Sequence, residues 1–335
     1  MSDRVLLDYG SGGKASQRLI REIFLKHLGN PGLNRLDDAA FIEDISGPLA
    51  VSTDTFTIFP LFFPGGDIGS LAVHGTVNDV AMLGAEPRYL SCAFLLEEGL
   101  DMQDLDRIAA SMGRAAAECG VQVITGDTKV VPRGAADKMF INTTGIGMVI
   151  ADPAPSGSRA EPGDAVLISG TLGDHGLAIL THRQGLKFET DIQSDSQALN
   201  TLTNRLVREV GDVHVLRDPT RGGLATTLNE IAVQSGCEIL LNEEQIPVRS
   251  EVQGGCSFLG LDPLYLANEG KFICILPGEL AEKALEVMRS HPAGRDAALI
   301  GHVREGQKGR VVLRTSLGGH RLLDMLEGEQ LPRIC

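Results

Sequence analysis

The sequence predicts an α+β protein of two domains, and three observations carry that expectation. The chain has 335 residues, more than one domain of about 100–200 residues usually takes. A Pro-, Gly- and Ser-rich run, Ala151–Ser158, reads as a linker. In the first half, strand-like runs do not alternate strictly with helical ones, which disfavours a doubly wound sheet. The expected divisions are 1–152, 153–325 and a short flexible tail, 326–335.

Near the start of the chain, Leu19, Ile20, Ile23, Phe24, His27 and Leu28 recur at helical spacing, so a helix is expected over about Ser16–Leu28. Apolar, β-branched runs predict strands at 49–53, 89–96, 121–125 and 139–144. Helical stretches lie between them at 68–83 and 102–119. In the second half, strands are expected at 165–170, 213–216, 238–241, 272–276 and 311–314. Helices are expected at 176–183, 196–210, 224–235 and 279–291. From about Glu327 the chain has no period, as in a mobile terminus.

Composition narrows the function. The apolar fraction of 43% and 40 glycines give enough material for a large core and many tight turns. A net charge of −14 makes a poor binder of phosphate backbones. The absence of tryptophan and an aromatic share of 4% argue against a base-stacking platform. No apolar run is long enough for a membrane helix. The start lacks a signal peptide, so a cytoplasmic protein is expected. The six cysteines form no C-x-x-C pair, and the first five read as buried thiols. The eight histidines show no ligand spacing, which argues against zinc.

Several segments could carry chemistry. Gly10-Ser11-Gly12-Gly13-Lys14 is either a phosphate cradle or a turn before a helix. It is not a P-loop, because Asp8 and Ala15 occupy positions that need Gly and Ser/Thr. Asp37-Asp38, Asp54, Asn78-Asp79, Gly126-Asp127-Thr128 and Asp218 stand among small residues. Each aspartate alone could be a cap or turn residue. Five such segments together point to Mg²⁺ held against nucleotide phosphates. Lys129 is either a rim charge or a partner for a developing anion. Glu269 is either a turn residue or, if buried, a base of raised pKa. Cys335 ends Leu331-Pro332-Arg333-Ile334-Cys335; it is an incidental residue or a thiol that reaches a pocket. It fits no prenylation box, which needs cysteine fourth from the end.

Taken together, the motifs resemble a known family. Asp37-Asp38-Ala39-Ala40, Ser52-Thr53-Asp54, Asn78–Ala85, Thr125–Thr128 and Asp218–Leu224 are similar to the motifs of the PurM/AIR synthetase-like superfamily. Pro332-Arg333-Ile334-Cys335 and Gly10–Lys14 resemble its HypE branch, the carbamoyl dehydratases of hydrogenase maturation. No cysteine precedes Cys92, unlike the similar selenophosphate synthetases. The resemblance implies two α+β domains, with the N-terminal sheets of two subunits pairing in a homodimer. It implies ATP and Mg²⁺ as cofactors, the carbamoyltransferase HypF and a HypC–HypD scaffold as partners, and no nucleic acid or membrane. The implied reaction is ATP-dependent dehydration of a carbamoyl group on Cys335 to a thiocyanate, the source of cyanide for the [NiFe]-hydrogenase iron. Cys335, Glu269 and Lys129 would be catalytic. Asp38, Asp79 and Asp218 would hold metal. Gly12, Gly13, Lys14, Asp54, Asn78, Gly126, Asp127 and Thr128 would bind the nucleotide.

Overall fold

Leu49–Phe56 (β1) forms one edge of a four-stranded sheet and is the first of its strands in the chain. A computed structural model describes residues 3–335 apart from Gly12, Asp38, Asp44, 187–191, 326–330, Pro332 and Arg333. Ahead of β1, Gly13–Leu19 (α1) and Leu25–Leu28 (α2) are joined by one π turn, Ile20–Phe24. This is the expected first helix with a widened middle. Leu19, Ile23, Phe24 and Leu28 still share its buried face.

After β1 come a two-residue hairpin, Phe62–Phe63 (β2) with Gly66–Asp67 (β3), and Ile68–Met82 (α3). Ala85–Glu97 (β4), Met102–Cys119 (α4), Gln122–Val131 (β5) and Met139–Val149 (β6) complete the first half. The sheet order is β1-β6-β4-β5, with only β4 and β5 parallel. The second edge is therefore β5. One face packs on α3 and α4 around Leu71, Leu90, Leu105, Ile108 and Met112. Helix α3 is buried all round, so it needs small residues. A side chain on Gly75 would strike the Phe56 ring.

The second half forms a seven-stranded sheet, and its elements are Asp164–Ile168 (β7), Asp174–Gln184 (α5), Asn200–Glu209 (α6), Val215–Arg217 (β8), Gly223–Ser235 (α7), Glu238–Asn242 (β9), Ser250–Leu259 (α8), Ile273–Pro277 (β10), Ala281–Arg289 (α9), Ala298–Arg304 (β11), Arg310–Arg314 (β12) and His320–Leu322 (β13). The strand order is β13-β12-β9-β11-β7-β10-β8. Period-two alternation explains why β7 is apolar throughout. Val166 and Ile168 face the α7 core, and Ala165 and Leu167 face the core of α6 and α9.

The β2–β3 hairpin, α8, β11 and β13 were not expected from the sequence, and for two of them glycine is the reason. Helix α8 carries Gly254 and Gly255 in its interior, which lowers helix propensity. Packing decides it, because a Cβ on Gly255 would meet Leu177. Strand β11 contains Gly301 at a register shift, where β9 approaches so closely that a side chain would strike the Leu240 carbonyl. Of the first five cysteines, Cys237 is only half-buried, with Sγ 3.5 Å from the Ala160 carbonyl oxygen.

Candidate active site

Four carboxylates from four elements converge where the two halves meet. Asp54 comes from β1, Asp79 from α3, Asp218 from the end of β8, and Glu269 from the loop before β10. Their charges act on one another. Burial, with the neighbouring acids, pushes Asp79 up to about 6 and Asp218 up to about 7. Ser52 opposes this for Asp79 by donating from Oγ to Oδ2 at 2.8 Å.

Glu269 is only 3% exposed, and its Oε1 has no hydrogen-bond partner. Burial first, then Asp218, Asp195, Asp54 and Asp79, hold its carboxyl well above the usual range. A carboxylate in that condition is a strong proton acceptor.

The loop that presents Glu269 is fastened on both sides. Asn268 is fully buried. Its Oδ1 accepts from Gly173 N–H at 2.8 Å, and its Nδ2 donates to the carbonyls of Pro219 and Leu266. Glu269 N–H donates to Asp195 Oδ1 at 3.1 Å, and Asp195 pairs with Lys271 at 3.1 Å. On the facing turn, Gly222 and Gly223 have φ of 75° and 62°. Side chains there would collide with Thr226 and with the backbone of 264–266. That turn sets Asp218 and Arg221 against the Glu269 loop.

Cys335 is seated in the same cleft. Thr57 N–H donates to its carbonyl oxygen at 3.2 Å. The Arg221 guanidinium draws the thiol's pKa down by its charge, and it reaches Asp54 at 3.3 Å. Burial, then the Glu269 charge, pushes the thiol up to about 11 against the pull of Arg221. The seat therefore favours a neutral sulfur.

A second group of expected residues lies elsewhere. Gly126, Asp127, Thr128 and Lys129 line a cavity of about 330 Å³ at the β5 edge, together with Gly10 and Ser16. Asp127 and Lys129 pair loosely at 3.9 Å, each side chain 67% exposed. Gly13 and Lys14 stand exposed beside this edge. Two strands separate β5 from β1, so within one chain the groups are about 14 Å apart at the usual strand spacing.

The carboxylate set suits a hard divalent cation. Asp54, Asp79 and Asp218 offer oxygen ligands whose mutual repulsion a cation would relieve. Among the described residues, the one group of three carboxylate or imidazole ligand atoms already within range of one another is Glu161, Asp164 and His214. There, however, both His214 nitrogens already face carboxylates, Asp164 at 2.8 Å and Asp212 at 3.4 Å.

The comparisons with known proteins cover nearly the whole chain. Residues 36–149 match the family model "AIR synthase related protein, N-terminal domain", and 161–314 match "AIR synthase related protein, C-terminal domain". Carbamoyl dehydratase HypE of Azotobacter vinelandii is 55% identical over 98% of this chain and 96% of its own. The chain belongs to the HypE family of carbamoyl dehydratases. A crystal structure of hydrogenase maturation protein HypE in complex with ATP is 67% identical, with a TM-score of 0.96 over 98% of this chain and 99% of that one. A HypE–HypF complex is 47% identical, with a TM-score of 0.81 over 92% and 99%. The fold is thus the two-domain PurM-like α+β arrangement expected from the motifs.

Against this HypE frame, the structure gathers Cys335, Glu269, Asp54, Asp79 and Asp218 around one cleft. It places Lys129, Asp127, Thr128, Gly126, Gly13 and Lys14 at the far edge of the sheet. Asn78 spends its amide on backbone: Nδ2 donates to the Gln197 and Glu269 carbonyls, and Oδ1 accepts from Leu199 N–H. Gly12 and Asp38 lie outside the described residues. Sequence reasoning gave no role to Asn268, Asp195, Thr57 or His175, and left Arg221 as a motif letter. The only signal in the sequence was Gly173-Asp174-His175-Gly176, a polar pair between glycines.

Proposed function

We propose that this chain dehydrates an S-carbamoyl group on Cys335 to S-cyanocysteine for hydrogenase maturation. The observation that carries this reading is the seating of the Cys335 sulfur in one cleft with Glu269, a buried carboxyl with an unpartnered oxygen. ATP, which a 67% identical HypE binds, supplies the activation by taking the carbamoyl oxygen onto its terminal phosphoryl group, so that oxygen leaves with phosphate. Both N–H protons leave as the C≡N bond forms: Glu269 accepts one, and the departing phosphate carries the other. Arg221 steadies the sulfur. Asp54, Asp79 and Asp218 would hold Mg²⁺ and so offset the charge of the phosphates. The cleft walls exclude water, which would hydrolyse an activated carbamoyl group.

We further propose that the enzyme acts as a homodimer whose first sheets pair. The sheet face away from α3 carries Leu49, Val51, Tyr89 and Ile146, and Val51 is 60% exposed. A second copy packed there would bring its Lys129, Asp127, Thr128, Gly126, Gly13 and Lys14 toward the first copy's aspartates. Gly12 and Asp38 keep the nucleotide and metal roles that the family resemblance implies. Asn78 acts through the position of the Glu269 loop. Partners would be a HypF-type carbamoyltransferase, as in the 47% identical HypE–HypF complex, and a HypC–HypD scaffold that receives cyanide. Among the described residues no helix is long and apolar enough to cross a membrane, and a cytoplasmic location fits the free thiols.

The test is mass spectrometry of the Cys335 peptide from carbamoyl-loaded protein, before and after ATP. Loss of one water's mass is expected, and Cys335→Ala removes the signal. An unchanged mass with intact ATP binding would make the chain a carrier only.

A further inference from the structure

Within the second domain, His175 is fully buried near the start of α5, edge-on to the Phe63 ring at 5.8 Å. Nothing in the proposed chemistry uses it. Its two nitrogens are nonetheless both engaged. Nε2 lies 2.6 Å from the carbonyl oxygen of Ile334, and Nδ1 lies 2.7 Å from Ser194 Oγ. A carbonyl can only accept, so Nε2 carries the proton. Nδ1 is then the acceptor from the Ser194 hydroxyl, whose oxygen in turn accepts from Ser196 N–H at 3.1 Å. The chain of donors runs one way, from Ser196 through Ser194 and His175 to Ile334. Burial keeps the imidazole neutral, although Asp195 and the Ile334 carbonyl pull the other way.

Ile334 itself is buried in the first-domain core. Thr57 holds the next carbonyl, that of Cys335, from the opposite wall of the cleft. Two successive backbone oxygens are thus gripped, one from each domain, directly beside the reacting sulfur.

We infer that His175 is a positioning residue: through the Ser194–His175–Ile334 hydrogen-bond chain it clasps the backbone that places Cys335 beside Glu269. It touches neither the sulfur nor the nucleotide. The inference deepens the proposed reaction and rests on it for its consequence, but the clasp can be read without turnover.

The experiment measures iodoacetamide alkylation of Cys335 in the full chain, followed by peptide mass spectrometry, with no ATP present. In His175→Ala the alkylation rate should rise about tenfold, as expected for loss of a buried hydrogen bond. His175→Gln, which keeps an N–H near Nε2, should restore most of the protection. The buried thiols Cys92, Cys256 and Cys274 should remain slow in both. Ser194→Ala, which frees the tautomer but leaves the N–H, should give a rise of about twofold to threefold. It also keeps the test open should His175→Ala fail to fold. An unchanged Cys335 rate in the folded variants would overturn the clasp. So would parallel exposure of Cys256 and Cys274, which would mean general loosening. If alkylation rises while dehydration of carbamoyl-loaded protein never occurs even in the wild type, the clasp stands and the proposed reaction falls.

Discussion

At the β1 edge of the first sheet, Asp54, Asp79, Asp218 and Glu269 crowd under side chains from both domains, and their charges are felt through protein. At the β5 edge, Asp127 and Lys129 face open solvent, each two-thirds exposed. One edge of the sheet thus adjoins a buried acidic cluster, and the other carries an exposed, phosphate-suited run. The cluster comes from residues far apart in sequence. The exposed run is mostly one short segment, Gly126–Lys129. The difference teaches that a proton acceptor must be enclosed by several elements to be tuned, whereas an anion partner needs only a rigid strand end. Under the proposed dimer, catalysis would join two edges that one chain keeps apart.

That implication can be broken in order of effect. Glu269→Gln should slow dehydration about 10³-fold, as for loss of a general base. Carbamoylated Cys335 would then accumulate in the mass spectrum with ATP present. Normal turnover would assign the proton transfer to another group. Lys129→Ala should cost about 10²-fold, the scale of one electrostatic contact to a developing charge. Co-refolding it with the inactive Cys335→Ala should recover about a quarter of wild-type activity if sites are shared across a two-fold dimer. No recovery would place Lys129 with its own chain's cysteine.

Asp79→Asn should weaken magnesium–nucleotide binding at least about tenfold by calorimetry, since even outer-shell losses cost that much. Wild-type affinity would remove Asp79 from the metal set.

The smallest effect concerns pH. Without divalent cation, the folded chain holds protons on Asp79 and Asp218 up to about 6 and 7, whereas their ordinary value is 3.8. The native state therefore binds more protons than the unfolded state between about pH 4 and 7. The stability these two carboxyls contribute falls as pH rises through that window, then levels off. Thermal unfolding of the Asp79→Asn, Asp218→Asn double variant should lack this slope. Magnesium should raise the wild-type midpoint more at pH 8 than at pH 5. A slope shared by both proteins would place its origin in other groups.

Much of the fold was legible because period and propensity agree. Met102–Cys119 is amphipathic and capped by Asp101 and Gly120, and its limits match those its periodicity predicts. Strands β7 and β10 are apolar on both faces and stand out in the sequence for that reason. Helix α8 and strand β11 do not, because their glycines speak against regular structure, and only the close approach of Leu177 or Leu240 makes glycine fit there. The acidic members of the site were legible from their small-residue settings. Arg221, Asn268, Asp195 and His175 were not, because each acts through a partner distant in sequence. Asn268 meets Gly173 across 95 positions, and His175 meets Ile334 across 159.

By itself, the sequence determined the α+β pattern, the family and the kinds of groups on hand: carboxylates for a cation, a lysine for an anion and a thiol at Cys335. Tertiary structure alone decided which carboxyl is held well above its ordinary range, the condition the proposed proton acceptor needs. A glutamate gains that character by losing water and gaining charged neighbours, and both come from chain segments that only folding brings together. It also decided that Lys129 and Cys335 stand at opposite edges, because strand order is settled by pairing between segments and no local pattern encodes it.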